Sequence, residues 1–404
     1  MSATLPRFAI VADEWFDGER RHAGAPTTMK VVDGRLVALA QGDQGATLAA
    51  QGWPVQRVPF LMPGLVDAHV HLFLDGGPTD QPTRSAHLKQ GVDALTEAAR
   101  RSARQNLAAG VTLVRDAGDR HGINHRIRAE ALDPAAGLAR VRSGGLGVKR
   151  ARRYGAFMAS DVDDAASIRD SVTALAAAND EIKLILTGII DFDAGAVTDA
   201  PQFAAASAAL VVRSAHACGR KVFAHCSGEK GLAVATAAGI DSIEHGFFMD
   251  RPTLAHMRDR DLAWTPTFCP VHFQWAQPGA AGWSPATIGH LRRILDAHAR
   301  HLGLAREMGV RVMLGTDAGS MGVRHGWALF DEIDRFVEAG WPLQDVLAAA
   351  TSVPRRHFGS AHATLAPGAP FDVLALEASP FVQRHALRQP KQVWRSGFAR
   401  HARN

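Results

Sequence analysis

Short apolar runs of β type alternate with longer segments of helical period through the middle of this chain. Eight such runs can be counted, and nearly every one ends in a polar residue or a glycine: GLVDAH, GVTLVRDAG, LARVRSGGLG, EIKLILTG, KVFAHCSG, DSIEHG, LAWTPTFCP and RVMLGTDAG. Strands that alternate with helices are typical of βα units and a parallel sheet. Eight units within residues 61–360 predict a (β/α)8 barrel, whose chemistry collects at the C-terminal ends of the strands.

The two ends of the chain differ from this middle part. Residues 1–60 contain short strand-like runs broken by turn residues, and residues 361–404 repeat the style in FDVLALEAS and QVWRSGFA. We expect the two ends to pair into one small β-sandwich domain beside the barrel. The predicted fold class is therefore α/β, with a barrel of residues 61–360 and a β domain built from both termini.

Composition limits the partners that this chain can have. Its 404 residues are 47% hydrophobic and 21% charged, so it can bury a full-sized core. The net charge of +5 is too small an excess at this length to favour nucleic acid or an anionic membrane. The N-terminal stretch lacks the pattern of a secretory signal, and no segment approaches the ~20 apolar residues that span a bilayer. We therefore expect neither a nucleic acid nor a membrane as partner.

Cysteine usage indicates a reducing compartment. Cys218, Cys226 and Cys269 form an odd set with no paired spacing, which favours free thiols over a disulfide framework. We therefore expect a cytoplasmic protein.

Residues of metal-ligand type end several of the eight runs. His69 and His71 lie at i and i+2, so on a strand both side chains point to the same side and can hold one ion. An isolated pair of this kind is weak evidence in a chain with 19 histidines. The prediction depends on conjunction, because four other runs end in candidates of ligand type: Lys183, His225, His245 and Asp317.

Each candidate also has a structural alternative. The histidines could be satisfied core or surface residues, Lys183 a surface lysine after a strand, and Asp317 a helix N-cap within GTDAGS. His298 and His301 look like a further pair at i and i+3, but they lie on a predicted helix away from the strand ends. We assign that pair to a solvated helix face.

In order and spacing, these runs resemble the strand motifs of the amidohydrolase superfamily, specifically its metal-dependent members with a two-metal site. The motifs that carry the resemblance are PGLVDAHVH, GVTLVRDAG, IKLILTG, VFAHCSG, GIDSIEHG and LGTDAG. LAPGAPFDVLAL looks like the family's return into its small β domain, so the resemblance covers almost the whole chain. VRHGWALFDEIDRFVEAG is similar to the helix after the last strand in the branch of dipeptidases and prolidase-like carboxypeptidases.

The resemblance implies two divalent metal ions, for which zinc is the default with imidazole and carboxylate ligands. The ligand positions correspond here to His69, His71 and Asp317 for one ion, His225 and His245 for the other, and Lys183 as the bridge. Lys183 would be carboxylated by carbon dioxide, since an ammonium has no lone pair to offer whereas a carbamate presents two anionic oxygens.

The resemblance also implies a reaction. Two metals about 3.5 to 4 Å apart can lower the pKa of a shared water and polarise a carbonyl. A metal-bridging hydroxide would attack an amide carbon, and Asp317 would take the proton and return it to the leaving amine. Members that deaminate nucleobases usually lack a lysine at position 183 and carry a glutamate three residues after the histidine at position 225. Here Lys183 is present and Glu229 lies four residues after His225, which argues against deamination.

We therefore expect a metal-dependent hydrolase of a carbon–nitrogen amide bond in a small molecule: a dipeptide, an N-acyl amino acid or a cyclic amide. Two alternatives remain. The same metal site could hydrolyse a lactone or another ester, since the attack does not need a leaving nitrogen. The chain could also be a non-catalytic assembly protein, although loss of catalysis normally replaces ligands and none of the six is replaced here. Relatives are often homo-oligomers, so a homo-oligomer is a further expectation.

A basic loop after the third run is the candidate for substrate binding. GGLGVKRARRYGAFMAS stands where members of the branch usually carry a glycine- and histidine-rich stretch. Arginine suits bidentate capture of a carboxylate, so we expect Arg153 or Tyr154 to bind an anionic substrate end, with His325 as a further candidate. A solvated loop or a subunit contact is the alternative for residues 149–153. Ile189 replaces the second glycine of the family's usual TGG, which would narrow or dry the pocket.

Overall fold

Residues 7–401 are described by the structure, which is a computed structural model. They form a mixed α/β fold with one mostly antiparallel sheet and two parallel sheets. The strands are β1 (Arg7–Phe16), β2 (Arg21–His22), β3 (Thr27–Val32), β4 (Arg35–Gln41), β5 (Val55–Pro63), β6 (Leu65–Val70), β7 (Val111–Asp116), β8 (Arg140–Ser143), β9 (Gly147–Lys149), β10 (Ala159–Asp161), β11 (Ile182–Ile185), β12 (Val222–Cys226), β13 (Ser242–His245), β14 (Ala263–Thr265), β15 (Arg311–Val312), β16 (Val373–Leu376), β17 (Gln392–Arg395) and β18 (Phe398–His401). The helices are α1 (Gly45–Ala50), α2 (Gln81–Leu88), α3 (Val92–Ala108), α4 (Ile123–Glu130), α5 (Ala165–Ala176), α6 (Ala205–Ala217), α7 (Glu229–Ala238), α8 (Arg251–Asp259), α9 (Phe268–Ala276), α10 (Pro278–Ala281), α11 (Pro285–Met308), α12 (Ala328–Glu338), α13 (Leu343–Ala349) and α14 (Ser352–His357).

One sheet joins the two ends of the chain. Its strand order is β18-β17-β16-β5-β1-β3-β4, with β2 also paired to β1. The antiparallel register of β16 on β5 sets Val373 against Pro63. Its core contains Ile10, Met29, Val58, Phe371 and Trp394. The sandwich and the boundaries of the β domain at residues 60 and 361 stay predictions, and residues 1–6 and 402–404 lie outside the described part.

Two parallel sheets carry the middle of the chain. Their strand orders are β10-β9-β11-β12-β13-β14-β15 and β6-β7-β8. Each of the eight predicted runs contains a strand of these sheets, because apolar period and turn residues are local signals. The short strand β10 was not predicted. Since the carboxyl ends of parallel strands lie at one edge, the loops that follow them share one face of the molecule.

Backbone hydrogen bonds join β6 to the segment that follows β15. Ala68 N donates to Leu314 O at 2.8 Å, and Asp317 N donates to His69 O at 2.8 Å. Val70 and Ala318 form a parallel bridge beside them. The first and last predicted strands are therefore neighbours, and this pairing sets the backbone of Asp317 against that of His69.

Helix ends follow the capping pattern that the sequence suggests. α5 begins after Asp164, whose carboxylate accepts from Ser167 N in a capping box. α11 begins after Ser284 and ends at Gly309, where φ is 76°. Within residues 7–401, no helix combines the length and the apolar character that crossing a bilayer requires.

The prediction of a solvated face for His298 is wrong. Its side chain is buried, its ring stacks on Phe247 with 3.8 Å between centroids, and its Nε2 donates to Pro266 O at 3.0 Å. His301, at the next i+3 position of α11, is half-buried. Spacing on a helix predicts which residues share a face, whereas the neighbours α8, α9 and α12 decide whether that face is covered.

A buried carboxyl on α12 holds the start of α9. Glu332 is fully buried and accepts hydrogen bonds from Phe268 N at 2.9 Å and Cys269 N at 3.1 Å. Burial nevertheless raises the pKa of Glu332 from 4.5 to about 8, because ionisation away from water outweighs what the two N–H donors recover.

We expect Glu332→Gln to change how stability depends on pH. Between pH 4.5 and about 8 the unfolded wild-type chain releases this proton while the folded one keeps it, so wild-type stability falls with rising pH. Glutamine does not titrate, so the free energy of unfolding of the variant should rise relative to wild type by up to about 1.4 kcal/mol per pH unit. Urea unfolding at pH 5, 6, 7 and 8 measures this difference, and a difference that is constant with pH would contradict it.

Candidate active site

Three of the predicted ligands converge where β6 meets the segment after β15. One ligand-type atom from each of His69, His71 and Asp317 lies within 4.8 Å of the other two. Asp317 Oδ1 is 3.7 Å from His69 Nε2 and 3.6 Å from His71 Nε2. The i and i+2 spacing on β6 thus places two imidazoles on one side, as predicted, and the backbone pairing brings the carboxylate to them.

His225 and His245 reach the same place from the next pair of strands. β12 and β13 pair in parallel with Cys226 against His245, so the two histidines end adjacent strands. The ring centroids of His225 and His245 are 4.6 Å apart, and those of His69 and His245 are 5.0 Å apart. Thr267 Oγ1 fixes the far side of the His245 ring by a 2.7 Å hydrogen bond to Nδ1.

Two of these residues have a left-handed backbone. His245 has φ 67° and Asp317 has φ 57°, a conformation that side chains other than glycine adopt at a cost of order 1–3 kcal/mol. Such strain persists only where the surroundings enforce it, and it clusters at functional sites.

Lys183 is buried in the middle of β11 with no partner for its charge. Its Nζ has no hydrogen-bond partner within residues 7–401 and lies 4.9 Å from the centroid of the Phe223 ring. Burial lowers the pKa of Lys183 to about 8, because the loss of hydration outweighs the opposing effect of the Glu244 and Asp317 charges. His69 Nε2 is likewise buried without a partner. Both nitrogens belong to predicted ligands, and a bound ion or a modification would satisfy them.

The histidines are electrostatically prepared to act as ligands. Burial, with the nearby charge of Lys183 as second cause, lowers the pKa of His71 and of His225 to about 3. Burial also lowers the pKa of His69 and of His245 well below the ordinary value. All four imidazoles are therefore neutral at pH 7, the form that coordinates metal.

A buried ion network orients His69 from behind. His69 Nδ1 donates to Glu244 Oε2 at 2.6 Å, which leaves Nε2 for the side that faces Asp317. Arg115 donates to Glu244 Oε1 at 2.6 Å and to Ala68 O at 2.7 Å. Carboxylate partners of this kind fix the tautomer and orientation of metal-binding histidines. The sequence reasoning missed Glu244 and Arg115, although a charged residue inside an apolar strand was a signal for each.

A cavity of about 230 Å³ opens in front of these residues. Pockets for drug-sized ligands typically measure about 300–1,000 Å³, so this cavity suits a small molecule. Six of the predicted site residues line it: His71, Tyr154, Lys183, His225, His245 and Asp317. Apolar residues form most of the remaining wall: Leu74, Phe157, Met158, Ile189, Ile190, Phe192, Phe247 and Val271.

The three predicted substrate-binding residues are placed differently. The Tyr154 ring lines the cavity, 5.3 Å from the His225 ring. Arg153 does not line it, and its guanidinium donates to Ala200 O on the outside. His325 is buried, and its Nε2 donates to Leu74 O at 3.1 Å behind the wall.

Comparison with known proteins identifies the family. The sequence profile of the amidohydrolase family matches residues 60–398. This chain belongs to the amidohydrolase family. The superfamily and the enzyme class predicted from the motifs are thereby confirmed: the chain is a hydrolytic enzyme that acts on carbon–nitrogen bonds. The family is generally metal dependent, and the cluster of His69, His71 and Asp317 is a candidate ion site.

Individual relatives agree with this placement. The chain is 31% identical to an uncharacterized protein of Mycobacterium tuberculosis over 334 residues, 81% of this chain and 80% of that protein. It is 26% identical to ochratoxinase of Aspergillus niger over 373 residues, 84% of this chain and 75% of that protein.

Solved structures share the fold. A Xaa-Pro dipeptidase with bound methionine in its active site has a TM-score of 0.84 at 21% identity, covering 98% of this chain and 100% of its own. The A. niger ochratoxinase structure has a TM-score of 0.80 at 20% identity, covering 97% and 95%. These likenesses show that the chain shares the fold of these proteins.

We expect Glu244→Gln to destabilise the fold. The variant leaves the Arg115 guanidinium buried without its nearest carboxylate, and breaking a buried ion pair from one side typically costs about 3–5 kcal/mol. Urea unfolding measures the loss, with Glu229→Gln as control because Glu229 is exposed at the start of α7. The double variant Arg115→Met, Glu244→Gln should recover part of the stability, since no unpaired guanidinium remains. A single variant as stable as the control would refute this account.

Proposed function

We propose that this chain is a metal-dependent hydrolase that cleaves an amide bond in a small molecule. The observation that supports the proposal most is the convergence of ligand-type groups from separate strands beside one cavity. His71, Lys183, His225, His245 and Asp317 line that cavity, and His69 lies directly behind with its Nε2 toward Asp317.

The donor set fits two divalent cations. His69, His71 and Asp317 would hold one, and His225 with His245 would hold the other. The two sets of ligands are adjacent, since the ring centroids of His69 and His245 are 5.0 Å apart, and this supports the division. Neutral imidazoles and a carboxylate suit zinc, and also manganese, cobalt or nickel. When bound, such ions polarise a substrate carbonyl and lower the pKa of water.

Lys183 would join the two groups as a carbamate. Its Nζ is buried, unpartnered and directed into the cavity wall, which disfavours the ammonium form. The neutral amine would attack carbon dioxide, forming one N–C bond and releasing one proton to solvent. The product would be a carbamate with one negative charge shared by two oxygens, both of which can bind a metal ion, whereas the amine offers one nitrogen.

Asp317 would move the proton of the reaction. Its Oδ1 lies near the two histidines, and its Oδ2 accepts from Ser320 Oγ at 3.0 Å. Burial raises the pKa of Asp317 to about 7, so the carboxyl can both take and give a proton near neutral pH. We propose that it takes a proton from the attacking water and delivers it to the leaving nitrogen. The hydroxyl of Tyr154, on the cavity wall, would hydrogen-bond the substrate.

We also infer that the parallel strands close into a (β/α)8 barrel of residues 61–360. The hydrogen bonds between Ala68 and Leu314 and between Asp317 and His69 support closure, because they link the two sheets at the strands where a barrel would have its seam. The small β domain would comprise residues 1–60 and 361–404, in agreement with the sheet that both ends share.

Activity of Asp317→Asn tests the proposed function. We expect kcat to fall by about 10²–10⁴-fold, the usual contribution of a positioned proton-transfer group. Ser320→Ala is the matched control, because it removes a hydrogen bond to Asp317 while the carboxylate stays, and it should lose far less. The measurement is hydrolysis of a panel of dipeptides, N-acyl amino acids, cyclic amides, aryl amides and lactones by metal-loaded protein. Full activity of Asp317→Asn would refute the proton role, and turnover of lactones alone would refute amide hydrolysis.

A further inference from the structure

We propose that the substrate of this cavity is a neutral amide with an apolar or aromatic group next to the scissile bond, and not a substrate with a carboxylate there. The inference rests on the proposed function for the bond that is cleaved. It goes further in naming the substrate class, and it departs from the expectation that the basic loop captures an anion.

The walls of the cavity are apolar. The loop after β11 contributes Ile189, Ile190 and Phe192, and residues from other loops and α9 continue the surface. Ile189 lines the cavity and is 61% exposed, so it lies at the rim. A substrate with an apolar group would bury this side chain when it binds.

The loop that carries Ile189, Ile190 and Phe192 is held in place by its own hydrogen bonds and by contacts with α11 and with Trp283. Asp191 and Ala196 exchange two backbone hydrogen bonds, at 2.8 and 3.1 Å, that close the loop on itself. From α11, His290 Nδ1 donates to Phe192 O at 3.1 Å. The Phe192 ring packs edge-on against Trp283, with 5.7 Å between centroids. This wall is therefore fixed in shape and does not depend on a bound substrate to form.

No arginine lines the cavity within residues 7–401, and Lys183 is the one lysine there. Three guanidiniums near the cavity are occupied elsewhere. Arg150 donates to Val162 O and Asp163 O, and Arg153 donates to Ala200 O. Arg84 donates to the backbone oxygens of Asp75, Pro78 and Gly319.

The charges left in the cavity do not suit an anionic substrate. The histidines, Asp317 and Lys183 that line the cavity are all assigned to the metal ions, so none of them is free to pair with a substrate carboxylate. A substrate carboxylate bound away from the metals would lose its hydration. It would not gain the ion pair with a cation that usually compensates for this loss. A neutral amide needs only hydrogen bonds, which Tyr154, Ser227 and Thr267 can supply from the wall.

Binding of uncleavable ligands tests the substrate class separately from catalysis. The probes are a pair of diaryl ketones in which CH₂ replaces the amide N–H, one neutral and one with a carboxylate on the para position of its distal ring. We expect calorimetry on the metal-loaded protein to give at least ten-fold tighter binding of the neutral ketone. Equal or tighter binding of the carboxylated ketone, or binding of neither, overturns the proposal.

A charge placed at the rim tests the same claim from the side of the protein. Ile189→Arg should raise the affinity for the carboxylated ketone at least ten-fold, because it adds the missing cation at an exposed position. Ile189→Gln is the control, with a polar side chain and no charge, and should keep the preference for the neutral ketone. If Ile189→Arg does not raise the affinity for the carboxylated ketone, the distal ring of the ketone does not lie at this wall, which contradicts the proposal.

The outcomes separate this inference from the proposed function. If the neutral ketone is preferred but the corresponding amide is not hydrolysed, the amide hydrolase proposal fails while the cavity still selects neutral apolar ligands. If amides are hydrolysed and the carboxylated ones are turned over with the higher kcat/KM, the function stands and the substrate class is overturned.

Discussion

The site depends on the parallel pairing of β6 with the segment that carries Asp317. Hydrogen bonds from Ala68 N to Leu314 O and from Asp317 N to His69 O bring together two parts of the chain that are far apart in sequence. Without that pairing, the histidines of β6 would end one sheet and those of β12 and β13 another. With it, residues from β6, β11, β12, β13 and the segment after β15 surround one small volume, and the backbone of Asp317, which is left-handed, places its carboxylate near the His69 and His71 rings.

Burial of charge on both sides of the site is the second constraint. Behind His69, Arg115 and Glu244 are fully buried and neutralise each other, so the ring is held by a rigid partner. In front, Lys183 Nζ is buried with no hydrogen-bond partner within residues 7–401, beside a cavity with largely apolar walls. A protein tolerates an orphaned amine when a ligand or modification completes it, which is the physical basis for proposing a carbamate and metal ions here.

Local pattern predicted much of this structure, and tertiary context decided the rest. The eight runs and the placement of His69, His71, Lys183, His225 and His245 on them follow from apolar period and turn residues, which are properties of short segments. The burial of His298, the outward turn of Arg153 and the Arg115–Glu244 pair depend on which elements pack together. Of the apolar wall, the sequence indicated only the two isoleucines that follow Gly188, because loops have no periodic pattern that predicts which side chains face a cavity.

The most direct test of the account is metal content per chain, measured by elemental mass spectrometry on protein purified without chelator or nickel affinity resin and reconstituted with zinc and bicarbonate. The account predicts two ions per wild-type chain, and fewer for Lys183→Met, which cannot form the bridge. One ion in both proteins would contradict the bridged pair. No bound metal in wild type, with zinc, manganese and bicarbonate all supplied, would contradict the central claim that these residues form a metal centre.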